Sequence, residues 1–198
     1  TFAYDAFGRK VLETVFDPEG HPLAQRFTGS YHDASSCGPL AAQESYCLIS
    51  RSSDGAATRV FHDRLQRERR RESKAFADGS WSASSTTYDA LGRKATISKP
   101  AGNGTVTTAL SYDTLGRVIQ ESTTGTGQSL ITTTSNQGLS TTVTQTGTGL
   151  SPRSITKVVN SQGQTLSVSE GLGSSTPATT TYLYDVWGNL SRVSGPSG

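Results

Sequence analysis

The sequence predicts an all-β protein, an array of antiparallel hairpins laid side by side in one long sheet. Three observations predict it. A Tyr-Asp-x-x-Gly-Arg hexamer recurs along the chain, short β-branched segments separate the copies, and Thr and Ser contribute 28 residues each while apolar residues make up only 32%. A thick two-sided core takes more apolar material than that. A thin sheet buried on one face is therefore expected.

The close copies are Tyr4-Asp5-Ala6-Phe7-Gly8-Arg9, Tyr88-Asp89-Ala90-Leu91-Gly92-Arg93, Tyr112-Asp113-Thr114-Leu115-Gly116-Arg117 and Tyr184-Asp185-Val186-Trp187-Gly188-Asn189. Weaker ones fill the gaps. His62-Asp63-Arg64-Leu65-Gln66-Arg67 loses the glycine, Val159-Asn160-Ser161-Gln162-Gly163-Gln164 exchanges Asp for Asn, and Thr134-Ser135-Asn136-Gln137-Gly138 is marginal. The tyrosine position then falls at 62, 88, 112, 134, 159 and 184, in steps of 22 to 26 residues. A fixed period of this length is the mark of a repeat architecture.

The hexamer reads as a chain reversal. An aspartate opening a four-residue turn accepts hydrogen bonds from backbone N–H groups ahead of it. A glycine in fourth place supplies the positive φ of a three-residue hairpin loop with a glycine bulge. The Tyr before the turn and the Arg after it would end two antiparallel strands and pack across the pair.

Between copies, Arg93 to Ser98, Arg117 to Thr123, Ser140 to Thr146, Thr156 to Val159 and Thr165 to Ser169 are short, β-branched and bounded by turn residues, the pattern of strands. A second turn closes each unit, at Asp17-Pro18-Glu19-Gly20, Ala77-Asp78-Gly79, Ala101-Gly102-Asn103-Gly104, Thr124-Gly125-Thr126-Gly127 and Gly171-Leu172-Gly173. Each period thus holds two strands of roughly 25 Å. Residues 27–60 interrupt the beat: Tyr31-His32-Asp33 reads as a broken copy, followed by an insertion containing both cysteines. Asp63 to Phe76 is rich in helix formers but lies where the repeat phase demands strand, and the phase decides for strand.

A formal charge of +2 sets no bulk field toward nucleic acid or membrane. No apolar run approaches a membrane span, and the start carries no signal-peptide pattern. The chain opens inside a repeat and contains no Met, so the expectation is a piece of a longer protein. Cys37 and Cys47, ten residues apart, either close a small loop worth roughly 2–3 kcal/mol or stand as free thiols. They have no zinc-type companions.

Each chemical reading has a structural one beside it. Asp5, Asp89, Asp113 and Asp185 come one per turn, whereas a calcium site gathers six to eight oxygens; turn capping is the expectation. His21, His32 and His62 have abundant Ser and Asp for company, but no Gly-x-Ser-x-Gly elbow is present. Arg64, Arg67, Arg69, Arg70 and Arg71 make the most basic stretch, diluted by Glu68 and Glu72 and without interleaved aromatics. On a strand, alternate arginines point to opposite faces. Tyr4, Tyr88, Tyr112, Tyr184, Trp187 and Phe7 read as repeat-register packing in preference to a sugar-binding stripe. Asn103-Gly104-Thr105 and Asn189-Leu190-Ser191 match the glycosylation pattern.

These residues resemble the YD repeats of the RHS (rearrangement hot spot) superfamily, which includes bacterial polymorphic toxins, shell components of insecticidal toxin complexes, and teneurins. The copies at 4–20, 88–104, 112–127 and 184–198 carry the resemblance. It implies a twisted, curved sheet spiralling around a hollow interior that, in bacterial members, holds a C-terminal toxic domain. About eight units would form an arc of such a shell. The Asp-Pro-x-Gly-rich segment that releases the C-terminal domain in many members is absent; Asp17-Pro18-Glu19-Gly20 is only a fragment of it. On this reading the chain is a secreted or cell-surface scaffold and not an enzyme, with no cofactor. Its partners are the remaining repeats and the C-terminal cargo; no nucleic acid and no membrane span are involved. Isolated, its sheet edges would associate edge to edge. The alternative is an adhesive or carbohydrate-binding repeat module, and a third reading is a β-solenoid polysaccharide lyase.

Overall fold

The computed structural model describes residues 1–31, 34–53, 55–74, 79–102, 104–173 and 176–196. It is all-β, with sixteen strands and a single four-residue helix among the described residues. Two compact units divide it, Thr1–Asn103 and Gly104–Gly198.

The first unit contains β1 (Phe2–Tyr4), β2 (Lys10–Phe16), β3 (Pro22–Tyr31), helix α1 (Ala34–Cys37), β4 (Tyr46–Ser52), β5 (Ala57–His62), β6 (Glu68–Lys74), β7 (Trp81–Tyr88) and β8 (Lys94–Ala101). Each strand pairs antiparallel with the one that follows it. The second unit contains β9 (Gly104–Tyr112), β10 (Val118–Gly125), β11 (Gln128–Gln137), β12 (Ser140–Gly147), β13 (Leu150–Val159), β14 (Thr165–Leu172), β15 (Ala178–Tyr184) and β16 (Leu190–Ser194). It is paired in the same way.

Strand periodicity explains the composition. Along β11 and β15 exposed and half-buried residues alternate over most of the length, as expected where side chains point to opposite faces in turn. Hydroxyls directly opposite one another bond across neighbouring strands: Thr87 with Thr96, Thr108 with Thr123, Thr142 with Thr156, and Ser169 with Thr179, at 2.6 to 2.9 Å. Cross-strand pairs of this kind each contribute roughly 0.2–1 kcal/mol. The Thr and Ser load is thus part of the sheet's cohesion.

Apolar burial is confined to one place. Cys37, Cys47, Ile49 and Phe61 are the buried hydrophobic residues among those described, with Tyr31 and Leu40 packed against them. All lie in the first unit, where α1 and the segment after it cover β4 and β5. Cys37 and Cys47 form a disulfide, which settles the choice left open by their spacing.

Several boundaries differ from the sequence reading. Strand β3 continues to Tyr31 and β4 begins at Tyr46, so the break in the beat is narrower than 27–60. The basic segment forms β6, as the repeat phase demanded. Gly171 and Leu172 complete β14 and do not turn, and Gly125 closes β10. Gly138-Leu139 makes a two-residue reversal between Gln137 and Ser140, so 134–138 is no copy of the hexamer turn. The Tyr31-His32-Asp33 copy and the Ala77-Asp78 turn fall largely outside the described residues, as do Ala75, Phe76 and Asn103.

Candidate functional site

The hexamer builds one local device several times over. At Asp5, the Gly8 N–H donates to the Asp5 carbonyl at 3.0 Å and the Asp5 N–H donates to the Arg9 carbonyl at 2.9 Å. The side chain adds a clamp: Oδ1 accepts from the N–H groups of Phe7 and Arg9, and Oδ2 accepts from Arg9 Nε at 2.6 Å. The same contacts recur at Asp63, Asp89 and Asp113. At Asp185 the Asn189 amide nitrogen donates in place of the guanidinium, and at Asn160 the direction reverses, its Nδ2 donating to the side-chain carbonyl of Gln164. Gly8, Gly92, Gly116 and Gly188 stand at strand-to-strand corners with φ between +74° and +84°. A residue with a Cβ disfavours that conformation.

The pairing register shifts by one residue at these corners, between Ala3 and Tyr4, Thr87 and Tyr88, and Leu183 and Tyr184. The bulge moves the partner of the tyrosine. Tyr4, Tyr88, Tyr112 and Tyr184 stand opposite Lys10, Lys94, Val118 and Leu190. Within each hairpin the arginine reaches back to its own aspartate.

Electrostatics follow the clamp. At Asp5, Asp113 and Asp185 the hydrogen bond from the backbone N–H of Arg9, Arg117 or Asn189 holds the carboxyl below its usual range. At Asp63 and Asp89 desolvation pushes upward, and the hydrogen bonds from Arg67 and Arg93 overcome it.

Two contacts tie one turn to the next, and sequence reading missed both. Arg67 lies 4.4 Å over the Tyr88 ring, whose hydroxyl donates to the Glu68 carbonyl. Gln164 Nε2 donates to the Gly188 carbonyl at 2.9 Å, while the Tyr184 hydroxyl donates to the Thr165 carbonyl. The sixth residue of one turn thus meets the following copy. The even spacing was the available signal, since residues one period apart become neighbours across two strands. Asp17-Pro18-Glu19-Gly20 is also the same turn: Asp17 accepts from the His21 N–H and faces its Nδ1 at 3.2 Å.

The basic stretch is largely neutralised from within. Arg70 binds Glu44 at 2.9 Å, contacts Glu72 and the Pro39 carbonyl, and lies 3.6 Å over Phe61. Arg71 pairs with Glu68, Arg67 with Asp63, and Arg59 with Glu72. Burial raises the Glu44 carboxyl, and the hydrogen bond from Arg70 more than offsets this.

The disulfide-held segment and the Asp63 turn enclose a cleft of about 760 Å³. Ala42, Gln43, Glu44 and Ser45 line one side, with Asp63, Arg64, Leu65, Arg67, Arg69 and Tyr88 on the other. The remaining candidates stay apart. His62 stacks on Tyr46, His21 pairs with Asp17, and His32 is outside the described residues. Asn189 has its amide on Asp185. Among the described residues no group of three or more His, Cys, Asp or Glu is placed to hold a metal ion. No helix there is long and apolar enough to cross a membrane.

No protein-family model matches the sequence, and no curated protein does. Solved structures similar to the chain include two crystal structures. One is of TcdB2-TccC3-Cdc42, at 13% identity and a TM-score of 0.39 over 90% of this chain. The other is of TcdB2-TccC3, at 14% identity and 0.38, also over 90%. The chain corresponds to only 12% and 13% of the chains it matches there.

Proposed function

We propose that the chain is a segment of an RHS-type YD-repeat wall, a structural scaffold that encloses a C-terminal toxin polypeptide for delivery. The observation that carries this reading is the recurrence of one self-clamped turn, at Asp5, Asp63, Asp89, Asp113, Asp185 and Asn160, with ties from Arg67 and Gln164 to the next copy. A sheet stapled at most of its hexamer reversals extends by addition of similar units and needs no second layer. Its apolar core is four residues among those described, which leaves most side chains free to face a compartment. The aspartates are occupied by their own turns, so no catalytic step is assigned to them. The buried disulfide fits an oxidising compartment, in keeping with a secreted or cell-surface protein.

The test is limited proteolysis of the parent protein bearing its C-terminal domain. That domain is expected to resist protease when the repeats are intact and to be cleaved when the repeats at 88–137 are deleted. Equal cleavage of both forms would overturn the proposal.

A second reading, an adhesive or carbohydrate-binding surface, draws on one observation: Phe7 and Trp187 project from their turns 84% and 85% exposed. Glycan-array binding lost on Phe7→Ala and Trp187→Ala would favour it over the wall.

A further inference from the structure

We infer that the cleft beside the disulfide is a binding site for a carboxylate-bearing ligand, with an acidic peptide segment as its occupant and Arg64 and Arg69 as the receiving cations. The lining carries three guanidiniums, of Arg64, Arg67 and Arg69, against two carboxylates, of Glu44 and Asp63. The two carboxylates are turned inward and satisfied. Glu44 has a side chain only 4% exposed, accepts from the Ala41 N–H and is held by Arg70. Asp63 has a side chain 9% exposed and accepts from the N–H groups of Leu65 and Arg67 and from Arg67 Nε.

The cations are not matched in this way. Among the described residues, no carboxylate forms an ion pair with Arg64 or Arg69. Arg69 donates to the side-chain carbonyl of Gln43 and lies 5.5 Å over the Tyr88 ring; Arg64 is exposed at the turn. The cavity wall therefore presents net positive charge, its negative charges being buried and hydrogen-bonded. A guanidinium fork suits a carboxylate geometrically, and about 760 Å³ lies within the range of pockets that enclose a small ligand or short segment.

Peptide is favoured over nucleic acid and sugar by what the aromatic residue is doing. Tyr88 carries Arg67 at 4.4 Å and Arg69 at 5.5 Å. Its ring is thus engaged by guanidiniums, whereas single-stranded nucleic acid is usually held on free stacking platforms. Leu65, 70% exposed at the turn, adds an apolar wall suited to a side chain next to the acidic one.

The site stands independently of the wall proposal, because it asks only for an acidic segment, free or covalently attached. The test is fluorescence anisotropy of the 198-residue protein with a labelled Glu-rich peptide, its Gln-substituted counterpart, and a labelled single-stranded oligonucleotide. Binding of the Glu-rich peptide alone is expected, weakening with salt. Arg64→Glu, which removes no partner among the described residues, and the double variant Arg64→Ala/Arg69→Ala should each lower affinity about tenfold or more, the scale of one charge-assisted hydrogen bond. The proposal is overturned if the Gln peptide binds equally, if no peptide binds, if the oligonucleotide binds more tightly, or if Arg64→Glu leaves affinity unchanged.

Discussion

Replacing Gln66 with glycine should make the protein more stable, an unusual direction for a substitution by the most flexible residue. Gln66 occupies the glycine place of the Asp63 turn with φ +62°, and it donates its N–H to the Asp63 carbonyl at 3.0 Å as the glycines do. A side chain in the left-handed region costs roughly 1–2 kcal/mol. Glycine returns roughly 0.5–1 kcal/mol of that as added freedom of the unfolded chain. The net expectation is a gain of about 0.5–1 kcal/mol, which raises a urea midpoint by roughly 0.2–0.5 M at an unchanged slope. Gly116→Ala is the reciprocal experiment. Gly116 has φ +79° with no atom within 4 Å of an added Cβ, so only the backbone term acts, and a loss of about the same size follows. Gly92→Ala should lose more, since its Cβ would stand 3.2 Å from the Arg67 guanidinium. A lowered midpoint for Gln66→Gly, or an unaltered one for Gly116→Ala, would refute the turn-strain reasoning.

Three further outcomes are expected. Asp5, Asp63, Asp89, Asp113 and Asp185 are all held below the ordinary aspartate value of 3.8. Their folded values lie below the unfolded ones, so the stabilisation is complete above about pH 4 and disappears as pH falls through the depressed range; urea midpoints measured from neutral to acid pH should drop there, and a drop confined to neutral pH would contradict it. Reducing the Cys37–Cys47 bridge, or replacing both cysteines with serine, should cost roughly 2–3 kcal/mol, read as a lower denaturation midpoint and faster proteolysis between residues 38 and 45. Phe61→Ala, at a fully buried position under Arg70, should cost about 3–5 kcal/mol by calorimetry or denaturant titration, whereas Leu91→Ala, 77% exposed at a turn, should change stability by less than about 0.5 kcal/mol.

The all-β class, the reversals at Gly8, Gly92, Gly116 and Gly188, and the aspartate cap were legible in the residue string because each is a short-range matter. A positive φ is a property of one residue, and the Asp5 carboxylate meets groups only two and four residues ahead. Even β6 was legible, since the period outweighed a helix-forming composition. What the string left open was decided by register. A one-residue bulge sent the hexamer's arginine to its own aspartate and placed Lys94, not Arg93, opposite Tyr88. The meeting of Arg67 with Tyr88, of Gln164 with Gly188, and of Glu44 with Arg70 joins residues 21 to 26 apart. Nothing in the separate segments specifies those meetings. They arise because strands are fastened side by side at one offset out of several, and only that alignment brings distant charges and rings within reach.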